Sequence, residues 1–314
     1  MIDTIKGYID LNSNTEVKHL IVLAKKSESE YGFNATFNIE NIKLTLRLNR
    51  EGKPLKLYFN GSLPKFYFGN NVSYLNKADT KSAITKLSDC LRINMSKSIL
   101  TRVDCGFNIN LKHPVHEYID CLAYYPRLDY MRYKDSVTFF KKHARMKLLF
   151  YDKKNEIRNN SKELLHIHPD LYLNKNILRY EISLYRRLNT FFKVDKFTLN
   201  LLMKQSIEDR LLRTWSSSYF RVKKIQLGID PKELLHNHNG LFKYLAYHGI
   251  DRLGFNKTIN TISHLNFNVK NPRSKRSKMK KTIKVLFDDV NKNTLDNNLI
   301  TELDYKVSQI KDYI

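Results

Sequence analysis

Cysteine is scarce in this chain of 314 residues: three occur, at Cys90, Cys105 and Cys121. Three thiols at irregular spacing build neither a disulfide framework nor a zinc module, so they read as buried, reduced side chains. Glycine is sparse too, at ten residues, and none falls into a phosphate loop of the P-loop or dinucleotide-binding type. A Gly-x-Ser-x-Gly nucleophile elbow is missing. No run approaches the ~18 consecutive apolar residues of a membrane span. The opening Met1-Ile-Asp-Thr-Ile-Lys-Gly-Tyr-Ile-Asp-Leu11 lacks the long apolar core of a signal peptide. No internal repeat or low-complexity tract is seen. A disulfide scaffold, a membrane-spanning protein and a P-loop NTPase are thereby set aside, and a soluble, cytoplasmic protein is expected.

What the chain has in excess is positive charge. Lys and Arg number 55 against 31 Asp and Glu, a formal charge of +24. Such an excess suits a polyanion, because each neutralised phosphate releases condensed counterions. A lysine- and asparagine-rich codon bias would also supply part of it. Hydrophobic residues at 42% and aromatics at 12% mark a globular chain, long enough for one large domain or two smaller ones.

Alternation and periodicity divide the chain. Strands are expected over Ile5 to Leu11, across Asn34 to Leu48, and over Leu55 to Phe59. Asn60-Gly61 reads as a hairpin signal, followed by an aromatic strand from Leu63 to Val72. Asp79 to Asn94 changes to helical spacing, with Asp79 or Thr80 as N-cap. Strand resumes over Ile99 to Ile109, and Val115 to Leu122 is a short helix. Two antiparallel strands follow, Ser136 to Lys141 and Met146 to Tyr151, and then Ile177 to Tyr185. From Thr198 the pattern is mainly helical. The expected fold is α+β: a central antiparallel sheet with flanking helices over 1–192, then a mainly helical, basic region over 193–314.

The candidate chemistry lies on the strands. Leu148, Leu149 and Phe150 run into Tyr151 at the point where strand becomes polar turn, so packing can hold the ring while the hydroxyl reaches a groove. Lys153 and Lys154 beside it would attract a phosphate. Most strand-end tyrosines only pack, and the other charged residues shift that balance. Arg102 and Asp104 share one face of their strand, and Arg179 and Glu181 share one face of theirs. These are either solvated faces with weak ion pairs or the lining of one groove, in which Asp104 and Glu181 would hold a divalent cation through hard oxygen ligands. A tyrosine hydroxyl, of pKa ~10, is scarcely ionised at neutral pH, and a cation on the scissile phosphate would offset transition-state charge. Alternation also points His166 and His168 the same way, as a metal pair requires; a looser pair is His236 and His238. Neither has a third ligand nearby, and bland loop histidines are the commoner case. The basic run Lys270, Arg273, Lys275, Arg276, Lys278, Lys280, Lys281 and Lys284 reads as a solvated arm or a non-specific DNA clamp.

Four segments, Ser62-Leu-Pro-Lys-Phe-Tyr-Phe-Gly-Asn-Asn71, Thr101-Arg-Val-Asp-Cys-Gly-Phe-Asn108, Leu149-Phe-Tyr-Asp-Lys-Lys-Asn-Glu156 and Leu178-Arg-Tyr-Glu-Ile-Ser-Leu184, occur in the order in which they resemble rolling-circle replication initiators of the filamentous-phage gene II/gene X type. The resemblance spans roughly residues 60 to 190. It implies an HUH-type nicking fold, with Tyr151 as nucleophile, Lys153 as its motif lysine, and Asp104 and Glu181 as metal ligands. Glu156 matches the acidic position after the tyrosine motif. The triplet His166-Ile-His168 has the class lettering but follows the tyrosine, where initiators usually carry their metal motif before it, so Asp104 ranks above the histidines.

The resemblance implies that the protein nicks one strand of an origin, with Mg²⁺ or Mn²⁺, leaving a 5′-phosphotyrosine and a 3′-hydroxyl and later re-joining the strand. Origin DNA and a host helicase and polymerase would be its partners, with Arg102, Lys154, Arg179 and the basic run on the DNA, and no membrane. The rivals are a DNA-binding regulator without chemistry and a transposase of the same chemistry.

Overall fold

The computed structural model describes residues 1–12, 17–22, 24–29, 32–160, 175–225, 238–291 and 298–312. Twelve strands are described: β1 Ile2–Asp10, β2 Lys25–Ser29, β3 Gly32–Ile39, β4 Ile42–Leu48, β5 Pro54–Ser62, β6 Ile99–Leu111, β7 Leu122–Tyr124, β8 Asp129–Tyr133, β9 Ser136–Phe140, β10 Met146–Asp152, β11 Asn176–Tyr185 and β12 Lys223–Lys224. Ten of them make one antiparallel sheet in the order β2-β3-β4-β5-β1-β6-β11-β10-β9-β8, while β7 pairs with β12. Two meanders thus meet across β1 and β6, and the expected α+β architecture stands.

The α-helices among the described residues are α1 Lys18–Ile21, α2 Leu63–Phe68, α3 Lys77–Leu91, α4 Val115–Asp120, α5 Lys153–Asn160, α6 Leu188–Phe192, α7 Gln205–Phe220, α8 His238–Leu253, α9 Phe255–His264, α10 Pro272–Asn291 and α11 Asn298–Asp312. Two of them correct the sequence reading. The aromatic segment expected as a strand after Asn60-Gly61 is the helix α2. Ser62 caps it by accepting from the Lys65 amide, Pro64 sits in its first turn, and Gly69 closes it at φ +77, the arrangement these residues favour at helix ends. Asn60 and Gly61 form no turn; they continue β5, opposite Lys6 and Ile5 of β1. Glycine at 61 serves close approach, since a Cβ there would stand 2.7 Å from the Asn41 carbonyl oxygen. Helix α3 begins earlier than expected, in a capping box between Asn76 and Asp79. The Ser62 hydroxyl also donates to Asp3 at 2.5 Å. Ser62→Ala therefore loses a cap and orphans a buried acceptor, and is expected to cost about 2 kcal/mol in urea unfolding; no measurable change would mean that the cap carries nothing.

An aromatic rung fixes the register of the central strands. Phe150, Tyr180 and Phe107 are cross-strand partners on β10, β11 and β6. The Phe150 and Tyr180 rings stack at 4.2 Å, and Trp215 of α7 lies 4.9 Å from Tyr180 and 4.7 Å from Phe107. Trp215 Nε1 donates to the Tyr180 carbonyl, and the Tyr180 hydroxyl donates to the Trp215 carbonyl, both at 3.1 Å. Because strand side chains alternate, this buried rung obliges the next residues, Tyr151, Arg179 and Asn108, to face the other way.

The core runs past the composition shift near residue 193. Leu211, Leu212, Trp215 and Tyr219 of α7, with Leu303 and Val307 of α11, belong to the same buried cluster as the sheet. The boundary expected at 192/193 accordingly divides no core. Tyr118 donates to Glu302 at 2.5 Å and Tyr219 to Asp304 at 2.6 Å, fastening α11 to the body. A second cluster, with Tyr247, Phe255 and Phe287, joins α8, α9 and α10 to Ala123 and Tyr124 of β7. Among the described residues no helix is long and apolar enough to cross a membrane.

Candidate active site

Strand β10 passes straight into α5, with no polar turn between them. Asp152 accepts from the Asn155 amide at 3.0 Å and so caps the helix that follows Tyr151. Tyr151 is half-buried in the lining of a groove of about 380 Å³ that it shares with Ser136, Asn155 and three carboxylates, Asp135, Asp152 and Glu156. Its hydroxyl donates to Glu181 Oε1 at 3.0 Å. Burial first, and the Glu181 carboxylate second, push the phenol well above its ordinary pKa.

Behind the phenol stands Arg179, only 1% exposed. Its guanidinium donates to Glu181 Oε1, to Asp3 Oδ2, to the Asn71 carbonyl at 3.1 Å and to Asn108 Oδ1 at 3.0 Å. Burial raises the Glu181 pKa and Arg179 only partly opposes it. At Asp3 burial also acts upward, but Arg179 and the Ser62 hydroxyl outweigh it and hold the carboxyl below its ordinary value. Gly106 lies opposite Glu181 on β6; a Cβ there would meet Glu181 Cγ at 2.6 Å, so the glycine makes room for the carboxylate.

Lys153 is fully buried, donating to Asn71 Oδ1 at 2.8 Å and to Glu156 Oε2 at 2.7 Å. Burial and the nearby Arg179 lower its pKa. Ile157 of α5, Ile177 of β11 and Val72 pack together over this end of the sheet. All four sequence segments singled out above therefore converge here, through Ser62 and Asn71, Gly106 and Asn108, Tyr151 and Lys153, and Arg179 and Glu181. Asp104 is on the same face, two residues before Gly106 and opposite Ser183. Arg102 Nε donates to its Oδ1 at 2.7 Å, and burial raises its pKa against that pairing.

Asp3 is the residue that sequence reasoning missed. Its strand offered no such contrast as Asp104 had, since Lys6 and Asp10 stand on it too. Arg179, expected on DNA, is instead an internal counter-ion, and Lys153 is walled off from a phosphate in the groove. Lys154 is half-buried, and Arg102 is half-buried and tied to Asp104. The basic run is no arm but the first half of α10, where Arg273, Lys275, Lys278 and Lys281 are exposed, as is Lys270 just before it. Arg276 donates to the Leu265 carbonyl, and Lys280 is half-buried.

A divalent cation needs several oxygen ligands not already committed to other cations. Both Asp104 oxygens face Arg102, Glu181 Oε1 faces Arg179 and Tyr151, and Glu156 faces Lys153. Among the described residues no three His, Cys, Asp or Glu side chains are grouped to hold a metal ion, so these carboxylates, as arranged, do not fit one. His166 and His168 lie outside the described residues.

The family model named Phage_CRI, which describes the N-terminal part of a phage replication-associated protein, matches residues 1–210. A solved structure, that of a rolling-circle replication initiator protein from Geobacillus stearothermophilus, is similar at 8% identity with a TM-score of 0.39, covering 77% of this chain and 89% of that one. No curated protein matches.

Proposed function

Because the chain belongs to the Phage_CRI family of replication-associated proteins, as the match over residues 1–210 establishes, we propose that it initiates rolling-circle DNA replication by nicking one strand of its origin through Tyr151. The observation that carries this reading is Tyr151 in the lining of an open groove, with its hydroxyl 3.0 Å from the Glu181 carboxylate. A general base within hydrogen-bond reach is the arrangement that activates a hydroxyl nucleophile.

In this mechanism Glu181 takes the phenol proton as the phenol oxygen attacks phosphorus. The tyrosine O–P bond forms, the P–O3′ bond breaks, and the leaving 3′ oxygen takes a proton from solvent, to which Glu181 gives up the one it accepted. The 3′-hydroxyl is the primer end for a host polymerase, with a host helicase opening the duplex ahead. The covalent link keeps the phosphodiester energy for re-joining. Arg179 favours the ionised form of Glu181 and aims it, and Asp3 anchors the other side of the guanidinium.

The test is a supercoiled plasmid carrying the DNA that flanks the protein's own gene, incubated with the protein and Mg²⁺ or Mn²⁺. An adduct resistant to SDS and a free 3′-hydroxyl are expected. Origin binding without any nicking would favour the rival reading, a DNA-binding regulator in which the buried Arg179 pairs serve stability alone.

The proton acceptor sets a pH dependence. Burial raises the Glu181 pKa, and only the ionised form accepts a proton. Single-turnover nicking should therefore fall with acidification through a half-point above ~4.3, the ordinary glutamate value. A half-point at or below that value would remove Glu181 from the role.

A further inference from the structure

A second concavity, of about 630 Å³, opens on the same sheet face at the other end of β11. Its lining carries five cations, Lys6, Arg102, Arg186, Arg187 and Lys196, against one anion, Asp195. Lys6, Arg186, Arg187 and Lys196 are exposed, and of the five only Arg102 pairs with a carboxylate among the described residues. The Tyr185 hydroxyl, also in the lining, is a buried polar atom without a hydrogen-bond partner among those residues.

The backbone adds an independent sign. Arg186 and Arg187 both hold positive φ, 63° and 52°. Left-handed conformation costs a side-chain-bearing residue of order 1–2 kcal/mol, and adjacent instances between a strand and a helix are the kind of strain found at ligand clamps.

We propose that this cavity binds a backbone phosphate of the single DNA strand whose scissile phosphate lies at Tyr151, with Arg187 and Lys196 as its principal cations and Tyr185 as a hydroxyl partner. The inference rests on the nicking reading above and adds the path of the strand. Tyr185 is paired with Arg102, and Arg179, opposite Tyr151, lies six residues along β11. At ~3.4 Å per residue that is about 20 Å, several nucleotides of a strand laid along the sheet. Contacts of this type fix where the strand sits without reading its sequence, so the cavity serves as a register stop for the cut.

The test measures binding of fluorescent single-stranded oligonucleotides centred on the nick and lengthened on either side, using the full chain and Arg187→Ala/Lys196→Ala. Both side chains are exposed, and an unchanged unfolding midpoint confirms that the variant is folded. The wild type should gain affinity in one step as the strand grows long enough to reach the cavity. The variant should lose that step while binding the shortest strand unchanged, and its salt slope on long strands should fall by about 1.4, at ~0.7 per lost single-strand contact. Equal weakening on short and long strands, or an equal gain with duplex of the same length, would overturn the assignment. Adduct formation on the shortest strand is scored separately. A lost length step with no adduct in either protein leaves the cavity standing and removes the nicking reading; an adduct with no length step does the reverse.

Discussion

Tyr151→Phe is expected to abolish the covalent protein–DNA adduct and to reduce nicking by on the order of 10³-fold or more, the scale at which removal of a nucleophile acts. The phenyl ring keeps the packing of the strand end, and Glu181 Oε1 retains Arg179, so stability should change by no more than about 1 kcal/mol. Affinity for origin DNA should stay within a few-fold, because the charge around the groove is untouched. The pattern matters more than the loss: chemistry gone, fold and binding kept. Should the variant form an SDS-resistant adduct at the wild-type level, the nucleophile lies elsewhere among the chain's 19 tyrosines.

Arg179→Met should act the other way, on the fold first. Methionine approximates the buried bulk but leaves Asp3 and Glu181 without the cation that both now face. Removing one partner of a buried ion pair costs ~3–5 kcal/mol, a fall in melting temperature of roughly 10 °C. The pH dependence should invert. In the wild type the Asp3 carboxyl is held below its ordinary value, so its contribution to stability is present above the unfolded pKa and fades as pH falls through the folded one. With the guanidinium gone, burial raises the folded pKa above the unfolded value, so acidification protonates the folded state and recovers stability. Melting curves carried from pH 7 to well below the ordinary carboxylate value of ~3.9, with Glu181→Gln in both backgrounds so that its raised pKa does not mask Asp3, distinguish these cases. A variant that loses stability on acidification as its Arg179 parent does would show that Arg179 is no counter-ion.

Much of this site was legible because a charge on an apolar strand is conspicuous. Asp104, Arg179 and Glu181 stand out against their neighbours, and period-two alternation correctly placed Arg179 with Glu181 on one face. Alternation carries no depth, however. It could not distinguish a solvated arginine from one buried under α5 and Asn71, since the covering residues come from elsewhere in the chain. For the same reason Lys153 read as a phosphate contact and proved to be an internal partner of Asn71 and Glu156. Leu63 to Phe68 was misread because aromatic content outweighed the Ser62 cap and Pro64. Asn60-Gly61 was misread because its glycine answers a close approach from Asn41, which only the folded sheet creates.

The order of the strands bears on when this protein becomes competent. β1 is made first, yet its place is between β5 and β6, and β6 completes its pairing only with β11. Asp3 must therefore wait, during synthesis, for an arginine encoded 176 positions later. Pairings between segments so distant form slowly. A nascent chain that has emerged from the ribosome only as far as Tyr151 presents a phenol with no base beside it, and the nicking proposed here has to await release of β11.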